Sequence, residues 1–155
     1  MNRFMFSLLF VLSILCNSCR NSIDGHQYIR FVNNTENDIY VDVGSQYPDT
    51  LFDAWNVIFN NSEDYYVPAK STRDCLKQLN KGTWEAKIKH FRSDTLIVFI
   101  LDFDSLNRIC SDKTIDWSNF SYSRDLLPLN EKIVLTRYYY TRDHLDSMNW
   151  TITYP

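Results

Sequence analysis

Several features are scarce or missing in this 155-residue chain, and each absence excludes a class of function. Glycine occurs three times, which argues against glycine-rich phosphate loops. No Gly-x-Ser-x-Gly, His-Glu-x-x-His or Walker sequence is present. The three histidines, His26, His90 and His144, lie far apart and lack the spacing of metal ligands. The sequence therefore predicts no cofactor, no resident metal and no catalytic residue of these types.

Apolar runs of membrane-spanning length are also missing. Residues 4–15 are apolar apart from two serines, but twelve residues fall short of the roughly 20 that a spanning helix needs. Arg3 precedes this run, and Ser18-Cys19 closes it. A positive start, a short apolar run and a small residue at the end are the parts of an export signal. Residues 1–18 are thus predicted to be a signal peptide.

The end of this signal resembles the lipobox of bacterial lipoproteins. Cys19 follows the small residue Ser18, whereas Cys16 follows the bulky Leu15 and is the poorer candidate. The resemblance implies lipidation at Cys19, and attachment by more than one acyl chain anchors a protein stably to a membrane. Residues 20–23 contain no acidic side chain that would support surface display. We expect a lipid-anchored envelope protein on the periplasmic face of the outer membrane. An ordinary secretory signal is the alternative.

Composition limits the mature chain to one domain and excludes one class of partner. Residues 19–27 are polar and are predicted to be a tether, and residues 28–155 are enough for a single core. Removal of residues 1–18 takes away only Arg3 among the charged side chains, which leaves 15 basic and 19 acidic residues and a net charge of −4. This charge argues against nucleic acid as a partner.

Two cysteines, Cys75 and Cys110, remain outside the signal. An oxidising compartment permits a disulfide between them. The sequence leaves open whether their Cα atoms lie within the roughly 7 Å that a bridge requires. Aromatic residues make up 15% of the chain, which fits an aromatic-rich core or stacking platforms for sugars.

The pattern of apolar residues predicts an α+β fold with a mixed β-sheet and short covering helices, with a β-sandwich as the alternative. The run over residues 95–101 predicts a strand buried on both faces. Other strands are predicted at residues 28–32 and 39–43, paired as a hairpin, and at 54–59, 65–67, 131–140 and 151–154. Helices are predicted at residues 71–79, where Ser71 and Asp74 have the pattern of a cap, and at 142–148 after the cap Thr141. Residues 84–91 alternate as a strand would and also fit one face of a helix, and we favour a helix capped by Thr83. A short helix is predicted at 106–110, and residues 116–127 are predicted to be irregular.

One stretch, residues 98–106, resembles the first motif of the haloacid-dehalogenase phosphatases. That resemblance implies Asp102 as nucleophile and Asp104 as acid/base with Mg²⁺. Only 51 residues follow Asp104, which leaves no room for the other βα units of that fold. The other interpretation is that Asp102 ends a strand and Asp104 or Ser105 caps the next helix. We favour capping and keep a metal-dependent hydrolase as the alternative function.

A wider resemblance covers most of the mature chain. It includes Trp84-Glu85, Asp94-Thr95-Leu96, residues 99–106 and, most specifically, the closing Asn149-Trp150-Thr151-Ile152-Thr153-Tyr154-Pro155. Together these are similar to small Bacteroidales lipoproteins of unknown function. The resemblance implies a single folded unit in the cell envelope and assigns no activity. We therefore expect a non-enzymatic binding or structural module for a protein or glycan partner.

The resemblance to that group also implies O-glycosylation at Asp followed by Ser or Thr and then a small apolar residue or Thr. Four sites match this pattern: Thr50, Thr95, Ser105 and Ser147. Asp followed by Ser or Thr is equally common in caps and turns. Thr50 stands beside a proline-containing turn, where a bulky glycan would face solvent, and is the first candidate.

The lipid anchor can be tested by metabolic labelling in a bacterial host that processes the signal. Because Cys19 follows Ser18, Cys19→Ala should abolish palmitate incorporation and detergent partitioning. Cys16→Ala is the matched control and should leave both unchanged. Labelling that survives Cys19→Ala and disappears with Cys16→Ala would assign the lipid to the other cysteine.

Overall fold

The computed structural model describes residues 25–49, 63–78, 82–111 and 132–155. Within these ranges the chain forms seven strands and three α-helices. The strands are β1 (Ile29–Asn33), β2 (Ile39–Gly44), β3 (Tyr66–Val67), β4 (Ser71–Cys75), β5 (Thr95–Asp102), β6 (Val134–Thr141) and β7 (Thr151–Tyr154). The helices are α1 (Trp84–Ile88), α2 (Phe103–Ser111) and α3 (Arg142–Ser147).

The strands form two open sheets. One has the order β4-β1-β7, in which β1 runs antiparallel to β4 and parallel to β7. The other has the order β3-β2-β5-β6 and is antiparallel throughout. With the short helices this arrangement confirms the predicted α+β class. The described strands are divided between a mixed and an antiparallel sheet, and do not form one sheet.

Strand β5 is buried on both faces, as its uninterrupted apolar run predicts. Seven of its eight residues are buried. One face enters the core between the two sheets through Leu96, Val98 and Ile100. The other face enters a second core, shared with Leu106 of α2, through Ile97, Phe99 and Leu101. The order of layers is therefore three-stranded sheet, first core, four-stranded sheet, second core and α2.

Two of the helices begin at threonine caps that the sequence predicted. Thr83 precedes α1, and its hydroxyl accepts a hydrogen bond from the backbone N–H of Ala86 at 3.3 Å. Thr141 precedes α3 and accepts from His144 at 3.4 Å. Such caps satisfy N–H groups that have no partner inside the helix. Both helices also bury residues in the first core, namely Trp84, Ile88 and Leu145.

The predicted hairpin of β1 and β2 is wrong, because the two strands lie in different sheets. The buried side chain of Asn33 forms hydrogen bonds that hold the connection between β1 and β2 in place. Its amide donates to the carbonyl oxygens of Asn37 at 2.8 Å and Pro68 at 3.1 Å, and its carbonyl accepts from the N–H of Thr35 at 3.0 Å. These bonds tie the connection to the β3–β4 turn instead of closing a two-stranded hairpin.

The helix predicted over residues 71–79 is also wrong, because Ser71–Cys75 is strand β4. The Ser71 hydroxyl donates to the carbonyl of Pro68 at 2.7 Å and caps no helix. Asp74 pairs with Arg30 on β1, its register partner in the antiparallel ladder. The pairing with β1 thus overrides a local capping pattern.

Several predictions fall outside the described residues. These are the signal and most of the tether, the strand at 54–59 and the irregular stretch at 116–127. Residues 25–27, which the sequence placed in the tether, pack against the domain. Within the described ranges no helix is long and apolar enough to cross a bilayer.

Truncation on either face of β5 should destabilise the protein, because each face fills a different core. Phe99→Ala should lower the free energy of unfolding by about 3–5 kcal/mol and Ile100→Ala by about 2–5 kcal/mol. Leu135→Ala on β6, where the side chain is 47% exposed, is the control and should cost less than about 0.5 kcal/mol. Denaturant unfolding measures all three. An unchanged midpoint for either β5 variant would mean that its face is not a core.

Candidate functional site

A polar cavity lies at one end of the three-stranded sheet, on the face turned away from the first core. Alternation along β1 places Ile29 and Phe31 in the core and Arg30 outside. The cavity beside Arg30 has a volume of about 380 Å³, within the size range of small-molecule sites. We call it the His26 cavity. Its lining residues are Gly25, His26, Gln27, Tyr28, Arg30, Asp74, Asn149 and Trp150.

The carboxylate of Glu85 on α1 contacts His26 through both its imidazole ring and its backbone. The His26 Nδ1 to Glu85 Oε1 distance is 2.6 Å, and the His26 backbone N–H donates to Oε2 at 2.9 Å. Gly25 permits this approach, because its φ is +136° and a Cβ there would lie 2.7 Å from Glu85 Oε2. The glycine, the histidine and the carboxylate therefore form one unit that fixes the ring.

Glu85 is favoured in its ionised form. Burial raises the pKa of its carboxyl, but hydrogen bonds from the His26 ring and backbone outweigh burial, so the pKa lies below its usual value. The side chain is only 14% exposed, whereas that of His26 is 43% exposed. The carboxylate thus acts as an inner support, and the imidazole is the group presented to solvent.

Trp150 supplies the surface on which the imidazole rests. The two ring centres are 4.8 Å apart and the planes differ by 16°, which is a stacked arrangement. Trp150 is 2% exposed, and its indole N–H donates to Asp146 Oδ1 at 2.8 Å. Since Trp150 covers one face of the imidazole and Glu85 holds one edge, the exposed part of His26 is the opposite face and the remaining edge.

Asn149 and Trp150 reach the cavity because they end helix α3 in a Schellman motif. The Trp150 N–H donates to the Leu145 carbonyl at 2.8 Å, and the Asn149 N–H donates to the Asp146 carbonyl at 3.1 Å. Asn149 has φ +50°, a conformation that asparagine tolerates better than most residues. The Trp150 carbonyl then accepts from the Arg30 N–H at 2.9 Å, which starts the parallel pairing of β7 with β1.

Arg30 and Asp74 form the opposite wall as a two-bond ion pair. The guanidinium Nε donates to Oδ1 at 2.7 Å and Nη2 donates to Oδ2 at 3.2 Å. This contact raises the pKa of Arg30 and lowers that of Asp74, so both groups are charged. Both side chains are about half exposed, and the hydrogen-bonding positions that the pair does not use can serve a ligand.

The chemistry of the His26 cavity suits binding of a small polar group. Its walls supply an imidazole face, a fixed ion pair and an amide, and opposite charges stand close together. Within the described residues no group of three or more His, Cys, Asp or Glu side chains could hold a metal ion. Among the described residues that line the cavity there is no serine, threonine or cysteine that could act as a nucleophile beside His26.

Asp102 ends β5, as expected, but the cap of α2 is Asp102 itself and not Asp104 or Ser105. Asp102 accepts a hydrogen bond from the backbone N–H of Ser105 at 2.7 Å and so caps helix α2. Asp104 lies exposed in the first turn of that helix, where a negative charge is favourable. Neither aspartate lines the His26 cavity.

The two cysteines are not bridged. Cys75 is buried at the end of β4 and Cys110 is exposed on α2, and both are free thiols. Burial raises the pKa of Cys75 to about 12, so its thiol stays protonated in the core. The proposed disulfide is therefore corrected to a buried thiol and a surface thiol.

The candidate modification sites differ in access. Cys19 and Thr50 lie outside the described residues. Thr95 is 9% exposed and its hydroxyl donates to the Ser93 carbonyl at 2.8 Å, so folding removes it as a glycan acceptor. Ser105 is partly buried at the start of α2, and Ser147 is exposed at the end of α3. Thr95, Ser105 and Ser147 do not line the His26 cavity.

Sequence reasoning missed most of this cavity. His26 stood in the tether, and its contact with Glu85 spans 59 positions. Arg30 and Asp74 looked like ordinary strand and cap residues. The sequence offered one signal, the Trp84-Glu85 and Asn149-Trp150 pairs of the family resemblance. Glu85 and Trp150 are the residues that contact His26.

Comparison with protein-family models, with curated proteins and with solved structures finds no significant match. The resemblance to small Bacteroidales lipoproteins accordingly remains a prediction from the sequence.

The Glu85 contact should make stability depend on pH with a known sign. Its folded pKa lies below the ordinary value of 4.5, so its contribution is complete above pH 4.5 and is lost as the pH falls through the folded pKa. Glu85→Gln should therefore unfold more easily than wild type at pH 7, and the difference should shrink below pH 4.5. Denaturant midpoints across pH 3–7 measure it.

The control for this experiment is Glu36→Gln, because the Glu36 side chain is 83% exposed. Its effect should be small at every pH. A Glu85→Gln difference that stays constant from pH 7 to pH 3 would show that the carboxylate charge contributes nothing to stability.

Proposed function

We propose that this chain is a lipid-anchored protein of the cell envelope whose folded domain is a non-enzymatic binding module, and that its ligand is a glycan. Lipidation at Cys19 would hold the domain at the membrane, with the periplasmic face of the outer membrane as its location. The observation that carries the proposal is the imidazole of His26, fixed on Trp150 by Glu85 and exposed on the floor of a polar cavity.

The geometry of the cavity supports a sugar ring in particular. A flat ring face can pack against the C–H face of a sugar, and His26 offers such a face in a fixed orientation. The Arg30–Asp74 pair presents donors and acceptors in a fixed plane, as recognition of vicinal hydroxyls requires, and Asn149 adds an exposed amide. The opposite charges of the ion pair stand side by side, which favours a neutral polar ligand over a charged one.

Preorganisation is the second support for this proposal. His26 is held by three contacts before any ligand arrives: the ring bond to Glu85, the backbone bond to Glu85 and the stack on Trp150. Groups that are already ordered lose little conformational entropy on binding. A structural role alone would be served by a buried ring, whereas this ring leaves 43% of its side chain open.

The hydrolase alternative, with Asp102 and Asp104 as a metal-binding pair, has no specific observation in its favour. Asp102 is occupied as a helix cap, and Asp104 is exposed away from the cavity lining. A protein partner remains the competing class of ligand for the His26 cavity, and the binding experiment separates it from a glycan.

A glycan array probed with the detergent-solubilised protein tests the proposal. Wild type should bind a defined subset of glycans, and His26→Ala should reduce that binding at least tenfold because the stacking face is lost. Asn149→Gly removes the amide while keeping the left-handed backbone, so it should also weaken binding without unfolding the chain.

His90→Ala is the matched control, because His90 is exposed and does not line the cavity. It should bind as wild type does. Absence of binding to every glycan would contradict the proposal. Binding that survives both His26→Ala and Asn149→Gly would place the site elsewhere.

A further inference from the structure

A second cavity adjoins the first and has no role in the proposal so far. Its volume is about 230 Å³, which is below the roughly 300–1,000 Å³ typical of a complete small-molecule site. We call it the Lys87 cavity. The residues that line the Lys87 cavity include Asp42, Lys77, Gln78, Trp84 and Lys87.

The Lys87 cavity combines an aromatic wall with groups of both charges. The Lys87 ammonium lies 4.8 Å from the centre of the Trp84 ring, a cation–π contact. Partial burial lowers the pKa of Lys87, and the negative charge of Asp42, which is 2% exposed, offsets part of this effect. Its lining carries two lysines, Lys77 and Lys87, against the single carboxylate of Asp42, so positive charge is in excess.

The segment His26–Tyr28 lines the His26 cavity and is hydrogen-bonded to residues that line the Lys87 cavity. The backbone N–H of Trp84 donates to the His26 carbonyl, and that of Gln78 donates to the Gln27 carbonyl, both at 2.8 Å. Each bond links a residue that lines the His26 cavity to a residue that lines the Lys87 cavity. The Lys77 ammonium lies 5.7 Å from the centre of the Tyr28 ring, which links the two linings a third time.

Tyr28 stands on this segment and is 36% exposed. An exposed aromatic ring beside a polar cavity is a surface on which a further ring can stack. A ligand that passes over Tyr28 would contact the imidazole of His26, the Tyr28 ring and the Lys87 side chain that lies over the buried Trp84 ring.

Building on the glycan-binding function proposed above, we propose that the two cavities are subsites of one groove, which takes a chain of at least two sugar units across Tyr28. The His26 cavity holds one unit and the Lys87 cavity holds another. The small volume of the Lys87 cavity fits this role, because a subsite need not hold a whole ligand.

Chain-length dependence of affinity tests this inference. The probes are three oligosaccharide series of one to six units, made of α-linked glucose, β-linked N-acetylglucosamine and α-linked mannose. Calorimetry with the detergent-solubilised protein should show, in at least one series, affinity that rises at least tenfold between one unit and three. Beyond the length of the groove, further units should add nothing.

Two variants show whether the gain comes from the second cavity. Lys87→Ala and Tyr28→Ala should each reduce the ratio of trimer to monomer affinity at least fivefold. Lys89→Ala, an exposed lysine just beyond the end of α1, is the control and should keep the wild-type ratio. His26→Ala should weaken every chain length.

The outcomes separate the two proposals. Affinity that is independent of chain length, or a length gain that survives both Lys87→Ala and Tyr28→Ala, overturns the two-subsite groove and leaves the His26 site standing. If none of the three series and no arrayed glycan binds, the glycan-binding function fails and the groove fails with it.

Discussion

Burial of β5 on both faces is the constraint on which the rest of this structure depends. An eight-residue strand with seven buried residues needs an apolar layer on each side. The three-stranded sheet supplies one layer, and α2 with its neighbours supplies the other. Because β1 and β7 must face β5, their outer faces turn to solvent. The His26 cavity is built at the ends of these strands, so the candidate site follows from the way the core is covered.

Much of the fold could be predicted from local sequence, because several elements carry their own signals. The apolar run of β5 and the threonine caps of α1 and α3 are examples. Which strands pair with each other was not predictable from local sequence. Apolar and polar residues alternate along both β1 and β2, and each strand buries one face in the first core. This alternation looks the same whether two strands pair in one sheet or face each other across a core, so it does not reveal which strands pair. The capping pattern of Ser71 and Asp74 predicted a helix, which is wrong because both residues pair with β1, a strand that is distant in sequence.

The candidate site was less predictable than the fold, because its chemistry comes from long-range contacts. His26 follows a polar stretch and has no local pattern, and its role depends on Glu85 and Trp150, which are 59 and 124 positions away. The closing Asn149-Trp150 pair was visible as a motif, and its physical meaning is now clear. Asn149 takes the left-handed position that ends α3, and Trp150 then supports the imidazole and starts the pairing of β7.

The central claim is that a glycan contacts the exposed face of His26. Amide chemical shifts of isotope-labelled protein, titrated with glycans released from the bacterial cell envelope, test it most directly. The amides of Gly25–Tyr28 and Asn149–Trp150 should shift first and saturate together, while those of Asp102 and Asp104, which do not line the cavity, should stay unchanged. Saturable shifts confined to the start of α2, with none around His26, would contradict the account.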